Sequence, residues 1–116
     1  MRLRAEKDSY LRIWRTVMRI PIGKVASYGT IAALSGFPRH GRLAGYALHN
    51  LPGGTEIPWL RVINARGFIS LPGKRGEEQC RLLRDEGIVF ARGHVDMERF
   101  AWRSRLSLQK KKKRNT

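Results

Sequence analysis

The side chains able to do covalent chemistry in this 116-residue sequence are few. Cys80 is the only thiol, and the histidines, His40, His49 and His94, are scattered along the chain. A single cysteine excludes an internal disulfide, and no metal-ligand spacing is present, so neither a metal nor any cofactor is expected. Cys80 lies mid-helix with no histidine nearby to lower its pKa, which makes it an inert thiol rather than a nucleophile. The segment Ile57, Pro58, Trp59, Leu60, Arg61, Val62 stands out as a short apolar run with a proline ahead of a large aromatic. Its tryptophan has no nucleophilic atom to receive a transferred group. What the chain does carry is charge: 24 Lys and Arg against 9 Asp and Glu, a formal +15. That excess implies a polyanionic partner, DNA or RNA being the commonest, because cations that neutralise phosphates release counterions. An anionic membrane surface fits less well, since there is no long apolar run and no basic amphipathic helix with a clean apolar face.

Those residues need a scaffold, and a chain of this length at 41% hydrophobic suits one compact domain, expected over residues 1–106. Ser9 or Asp8 is the expected cap of a first helix whose Tyr10, Ile13, Trp14 and Val17 form an apolar stripe ending before Pro21. Ser27 is the expected N-cap of a second helix, Tyr28 to Leu34, stopped at Ser35 and Gly36. A third runs roughly from Arg39 to His49 and ends at Asn50, Pro52, Gly53 and Gly54. Two short helices across a tight glycine-containing turn make a helix-turn-helix. Trp59 to Ile63 and Phe68 to Leu71 read as strands of a hairpin across Asn64, Ala65, Arg66 and Gly67, which would supply a wing. A fourth helix is expected over Gly76 to Glu86, a short strand over Ile88 to Phe90, and an anchor for the chain end at Phe100 and Trp102. Residues 107–116 form a basic tail whose run from Lys110 to Arg114 can bury nothing and is expected to be disordered. The polar N-terminus has no signal-peptide h-region, so the expectation is an intracellular monomer, cytoplasmic and nucleoid-associated, or nuclear in a eukaryote. The predicted fold class is α+β, mostly helical, a winged helix-turn-helix.

Three landmarks fall together: Val25, Ala26, Ser27, Tyr28 and Gly29 at the head of the second helix, Arg42 in the third, and the Ile57 to Val62 segment. Fourteen residues separate Tyr28 from Arg42 and seventeen separate Arg42 from Trp59. This order and spacing, over Trp14 to Gly87, resembles the C-terminal DNA-binding and active-site domain of the O6-alkylguanine-DNA alkyltransferases. The Pro-Cys-His-Arg core of those enzymes is here Pro58, Trp59, Leu60, Arg61, a departure that resembles the alkyltransferase-like proteins, their non-enzymatic relatives. Leu60 departs from both groups, which keep a histidine at that place.

The resemblance implies a protein that binds O6-alkylguanine in duplex DNA, flips the nucleotide without transferring the alkyl group, and flags it for nucleotide excision repair proteins. Reaching O6 of a paired guanine requires taking the base out of the stack, at a cost of a few kcal/mol. Arg42 is then the finger that fills the gap, its planar guanidinium able to stack on bases. Tyr28 crowds the phosphate and faces the flipped base. Gly41, Ala44 and Gly45 let the helix approach the minor groove, with packing of the helix on the core as the competing reason for their small size. Trp59, with Pro58 and Val62, forms the lesion pocket, the carbonyls of Trp59 and Val62 accepting from the guanine edge. Asn50 supports the pocket segment, while Glu86, left without a relay partner by Leu60, pairs with Arg61. Arg66, Lys74 and Arg75 touch phosphates or close over the pocket. Taken alone, Arg42 also reads as a solvated or phosphate-contacting side chain, and Tyr28 and Trp59 as core aromatics. The alternative reading is therefore a winged-helix regulator or nucleic-acid-binding protein without damage specificity.

Overall fold

The computed structural model describes residues 2–103, with side chains from Asp8 onward; the expected basic tail, residues 107–116, lies outside them. Helix α1, Arg2–Met18, begins well before Asp8 and Ser9, which lie inside it rather than capping it. The reason is local: residues 2–7 read Arg, Leu, Arg, Ala, Glu, Lys, all good helix formers with no glycine or proline to stop propagation. Ile13 and Val17 are wholly buried on its inner face, with Tyr10 and Trp14 packed beside them. Trp14 also donates from Nε1 to the carbonyl of Ala47 at 2.7 Å, fixing α1 against a helix far along the chain.

Strand β1, Ala26–Ser27, leads directly into α2, Tyr28–Leu34. Ser27 caps that helix as expected, its hydroxyl accepting the Thr30 amide at 3.1 Å and satisfying one of the free N–H groups of the first turn. Helix α3, Gly41–His49, starts later than the spacing predicts, because Arg39 sits at φ +67°, outside the right-handed helical region. Together α2 and α3 form the helix-turn-helix.

The segment from 57 to 71 is where the expectation fails. Trp59–Arg61 is a single 3-10 turn, and only Val62–Ile63 is a strand, β2, pairing parallel with β1 in the register Ala26↔Val62 and Ser27↔Ile63. Phe68 to Leu71 forms no strand. The hairpin is prevented by Asn64, whose side-chain oxygen takes the Arg66 and Phe68 amides at 3.0 and 2.9 Å, and by Gly67, packed so closely under Val95 that a Cβ there would strike the Val95 carbonyl. The antiparallel hairpin is instead β3, Phe90–Ala91, with β4, His94–Val95, turning through Arg92 and Gly93. Both turn residues have positive φ, +53° and +82°, as a two-residue turn matching strand twist requires.

Helix α4, Gly73–Asp85, begins three residues before Gly76. Gly76 lies against Leu71, whose carbonyl oxygen occupies the space a Cβ would need. A last short helix, α5, Met97–Phe100, brings Val25 and Trp102 together: Val25 donates to the Phe100 carbonyl and Trp102 to that of Val25, at 2.9 and 2.7 Å. The β1–β2 pair separates two apolar clusters. Alternation along each strand sends Ala26 and Val62 to the cluster of α1, α2 and α3, and Val25 and Ile63 to the cluster of Leu83, Ile88, Val95 and Phe100. The architecture is α+β, with five helices and two small two-stranded sheets among the described residues. Within them no helix is long and apolar enough to cross a membrane.

Candidate functional site

The C-terminal half of α3, the loop after it and the first turns of α4 enclose a cavity of about 400 Å³, within the usual range for small-molecule sites. Tyr28, Gly45, Leu48 and His49 line it from the helix-turn-helix; residues 51–55 and Trp59 close the loop side, and Leu71, Arg75 and Gln79 the remaining wall. Trp59 and Tyr28, separated by more than thirty positions, meet here because the parallel β1–β2 pair sets the start of α2 beside the 3-10 turn. The Arg75 guanidinium lies over the Trp59 ring, 5.9 Å from its centroid. Burial raises the pKa of the Tyr28 phenol, against a smaller opposing effect of its hydrogen bond with Ser70, so the group stays a neutral donor.

The three small residues of α3 divide by role. A Cβ on Gly41 would meet the Gly29 backbone in ordinary van der Waals contact, 3.4 Å from its nitrogen, and Ala44 is wholly buried, so both positions face α2 and the core. Nothing lies within 4 Å of a Cβ built on Gly45, which faces the cavity. Arg42, three positions earlier on the same helix, is exposed and makes no ion pair or hydrogen bond with the described residues.

Other expected site residues are placed differently. Val62 is wholly buried in the main core, and neither it nor Pro58 lines the cavity. The Val62 carbonyl accepts from Gln79 Nε2 at 3.0 Å, and the Trp59 carbonyl from the Val62 amide. Asn50 does not support this segment: it stands at the C-cap of α3, its amide donating to the Tyr46 carbonyl at 2.8 Å. Support comes from two other groups. Arg61 grips Glu86 through Nε and Nη2 at 2.9 and 2.8 Å and reaches the Ile20 carbonyl with Nη1 at 2.8 Å. Gln79 holds the Leu60 and Val62 carbonyls from α4. Leu60 packs against the second cluster. Cys80 is half-buried in a separate cleft with Ile69, Arg84 and Phe90, and the described residues hold no cluster of groups able to bind a metal.

Gln79 and the 51–55 loop line the cavity although neither belongs to the motifs that carry the resemblance. Gln79 had a signal: Gly76, Gln79 and Leu83 fall at helical spacing on the buried face, where an amide needs partners. Nothing in the loop sequence beyond Pro52, Gly53 and Gly54 marked it as a wall.

The fold is a helix-turn-helix whose second helix carries the exposed Arg42 and lines, from Gly45 onward, a cavity walled by two aromatics. Residues 8–88 match the model of the 6-O-methylguanine DNA methyltransferase DNA-binding domain, and the chain belongs to this family, among its alkyltransferase-like members. It is 41% identical over 97 residues to the DNA base-flipping protein of Vibrio parahaemolyticus, covering 82% of this chain and 97% of that one. Alkyltransferase-like protein 1 of Schizosaccharomyces pombe is 41% identical over 83 residues, 70% of this chain and 77% of the relative. The crystal structure of S. pombe Atl1 in complex with damaged DNA containing O6-carboxymethylguanine superposes with a TM-score of 0.78 at 31% identity, covering 84% of this chain and 97% of that chain.

Proposed function

We propose that this chain, acting as a monomer, binds O6-alkylguanine in duplex DNA through the minor groove and turns the damaged nucleotide into the Tyr28–Trp59 cavity. It leaves the alkyl group in place and marks the site for nucleotide excision repair. The observation that carries this reading is the cavity itself, about 400 Å³ between two aromatics and bordered by the helix that bears the unpaired Arg42. The relatives support it, since two are base-flipping or alkyltransferase-like proteins and one is solved on damaged DNA. Flipping costs a few kcal/mol, less for a poorly paired lesion. Arg42 offsets that cost by stacking in the vacated space, while the Trp59 face receives the base or its alkyl group. Transfer has no route: Trp59 stands where the enzymes carry cysteine, Leu60 is no base, and both Glu86 oxygens are held by Arg61.

The test is a fluorescence titration of duplexes with and without one O6-methylguanine. The lesion duplex is expected to bind about tenfold tighter or better with quenched tryptophan emission, and Arg42→Ala to abolish that preference. Equal affinity of the unaltered protein for both duplexes would sink the reading. The hand-over to repair is tested by epistasis. Removing this protein should add no sensitivity to a methylating agent in cells already lacking excision repair, and additive sensitivity would refute the link.

Gly45→Ala separates close approach from folding. The methyl meets no neighbour, so the variant is expected to be more stable by about 0.5–1 kcal/mol in urea denaturation. The same methyl projects toward the cavity mouth and should weaken binding to the lesion duplex severalfold; unchanged binding would show that α3 does not approach the groove there.

A further inference from the structure

Tyr46 is 59% exposed, and among the described residues it is the one exposed aromatic with neither a ring nor a guanidinium against it. Phe68, the other exposed ring, leans on His94 with 5.3 Å between centroids. The Tyr46 side chain makes no hydrogen bond with the described residues either; only its carbonyl is engaged, by Asn50 at the end of α3. Tyr46 stands in the middle of α3, one turn after Arg42. At about 100° per residue it lies about 40° from Arg42 around the helix axis, whereas Gly45 and Leu48 lie about 60° and about 120° from Arg42 in the opposite sense. The cavity takes Gly45, Leu48 and His49 from this helix, and neither Arg42 nor Tyr46. Buried Ala44 and Ala47 occupy the far side. Across the exposed surface of α3 the order is therefore cavity, Arg42, Tyr46.

In a duplex whose damaged nucleotide has turned into the cavity, Arg42 occupies the vacated space, and the side of Arg42 away from the cavity is where the intact strand remains. The base of that strand has lost its pairing partner, and the step beside it is already opened. Side chains that enter from the minor groove as wedges act at such steps, where part of the unstacking cost has been met by the flip itself. A tyrosine suits the place: its apolar face stacks on a base of any identity, and its hydroxyl stays at the wet edge of the groove. A lysine there would hold any phosphate equally well, whereas a ring discriminates a base that has lost its neighbour. Resting on the lesion-pocket reading above, we propose that Tyr46 is a positioning residue that stacks on the unpaired base of the undamaged strand, holding the duplex open on one side of Arg42 while the cavity holds the damaged base on the other. It touches no alkyl group, so it stabilises the flipped state alike for every adduct.

The test is an anisotropy titration of three duplexes: one with O6-methylguanine opposite cytosine, one with the same lesion opposite an abasic site, where there is no base for the ring to hold, and one undamaged. Tyr46→Ala is expected to weaken binding about tenfold on the first duplex and less than about twofold on the second. Tyr46→Phe keeps the ring and should match the unaltered protein within about twofold on both. Both substitutions fall on an exposed side chain, and thermal melts establish that the variants are folded. An effect of Tyr46→Ala that is the same on the two lesion duplexes, whether large or nil, overturns the contact with the unpaired base. A loss by Tyr46→Phe as large as that by Tyr46→Ala overturns stacking by the ring. If the unaltered protein binds the lesion and undamaged duplexes equally, the pocket reading fails and this inference with it.

Discussion

Arg61→Ala is expected to lower unfolding stability by about 3 kcal/mol, measured by urea denaturation, and to lower the melting temperature of this small domain by about 10 °C or more. The side chains of Arg61 and Glu86 are 14% and 17% exposed, so water screens their pair only weakly. Deleting the guanidinium leaves a carboxylate largely desolvated and without a partner, which costs more than the pair itself contributes. It also strips the Ile20 carbonyl of the 2.8 Å bond from Nη1, loosening the chain just after α1. Arg61→Lys should recover little, because an ammonium cannot make the two-point contact with Glu86. A paired change to apolar residues, Arg61→Met with Glu86→Leu, should recover most of the loss, since removing both charges removes the desolvation cost. If Arg61→Ala costs less than about 1 kcal/mol, the pair behaves as a surface salt bridge and the bracing assigned to it fails.

That bracing bears on the cavity. Between Pro58 and Ile63 the chain makes one turn of 3-10 helix and a two-residue strand, too little regular structure to hold a shape unaided. Its position is set by Arg61 reaching Glu86 beyond α4 and by Gln79 reaching back from within α4. The Trp59 ring is thus aimed by groups 20 or more positions away in sequence. Arg61→Ala is accordingly expected to weaken binding to the lesion duplex more than to the undamaged one, even at temperatures where the variant remains folded.

How much of this was legible depended on whether the deciding contact was local. Ser27 announces α2 because a cap is a matter of three residues, and the structure has the hydrogen bond where the sequence implies it. The hairpin across Asn64 to Gly67 was misread because a short apolar run with turn residues after it fits either a strand or a helical turn. The choice was made by distant partners: Ala26 and Ser27 for Val62 and Ile63, and Val95 for Gly67. Gly41 and Gly45 are identical as letters four positions apart on one helix. Only the position of Gly29 shows that the first faces α2 and the second open space. Asn50 was given a supporting role that Gln79 fills, a swap invisible without coordinates because both are amides and either could face the segment. Tyr28 and Trp59, by contrast, are set at one pocket by the family resemblance and not by anything local, and both line the cavity.

Trp59→Cys is expected to gain no methyl group after incubation with an O6-methylguanine duplex, read as an unchanged intact mass. A thiol attacks as thiolate, and its proton must leave to a base within hydrogen-bond reach. The residue that follows is Leu60, which packs into the apolar cluster of Val25, Ile63 and Leu83 and offers no acceptor. Glu86 is committed to Arg61, which donates to both of its oxygens and holds it in the ion pair. Trp59→Cys with Leu60→His should transfer the methyl group at least about 10²-fold faster than the single variant, the contribution typical of a positioned general base. His49 also lines the cavity, exposed at the end of α3, and is the one other imidazole facing that space among the described residues. If Trp59→Cys alone becomes methylated rapidly, adding His49→Ala identifies the proton acceptor. Loss of transfer in that double variant would mean that the cavity retains a usable base and that tryptophan alone stands between binding and repair; persistent transfer would mean the thiol needs no histidine here.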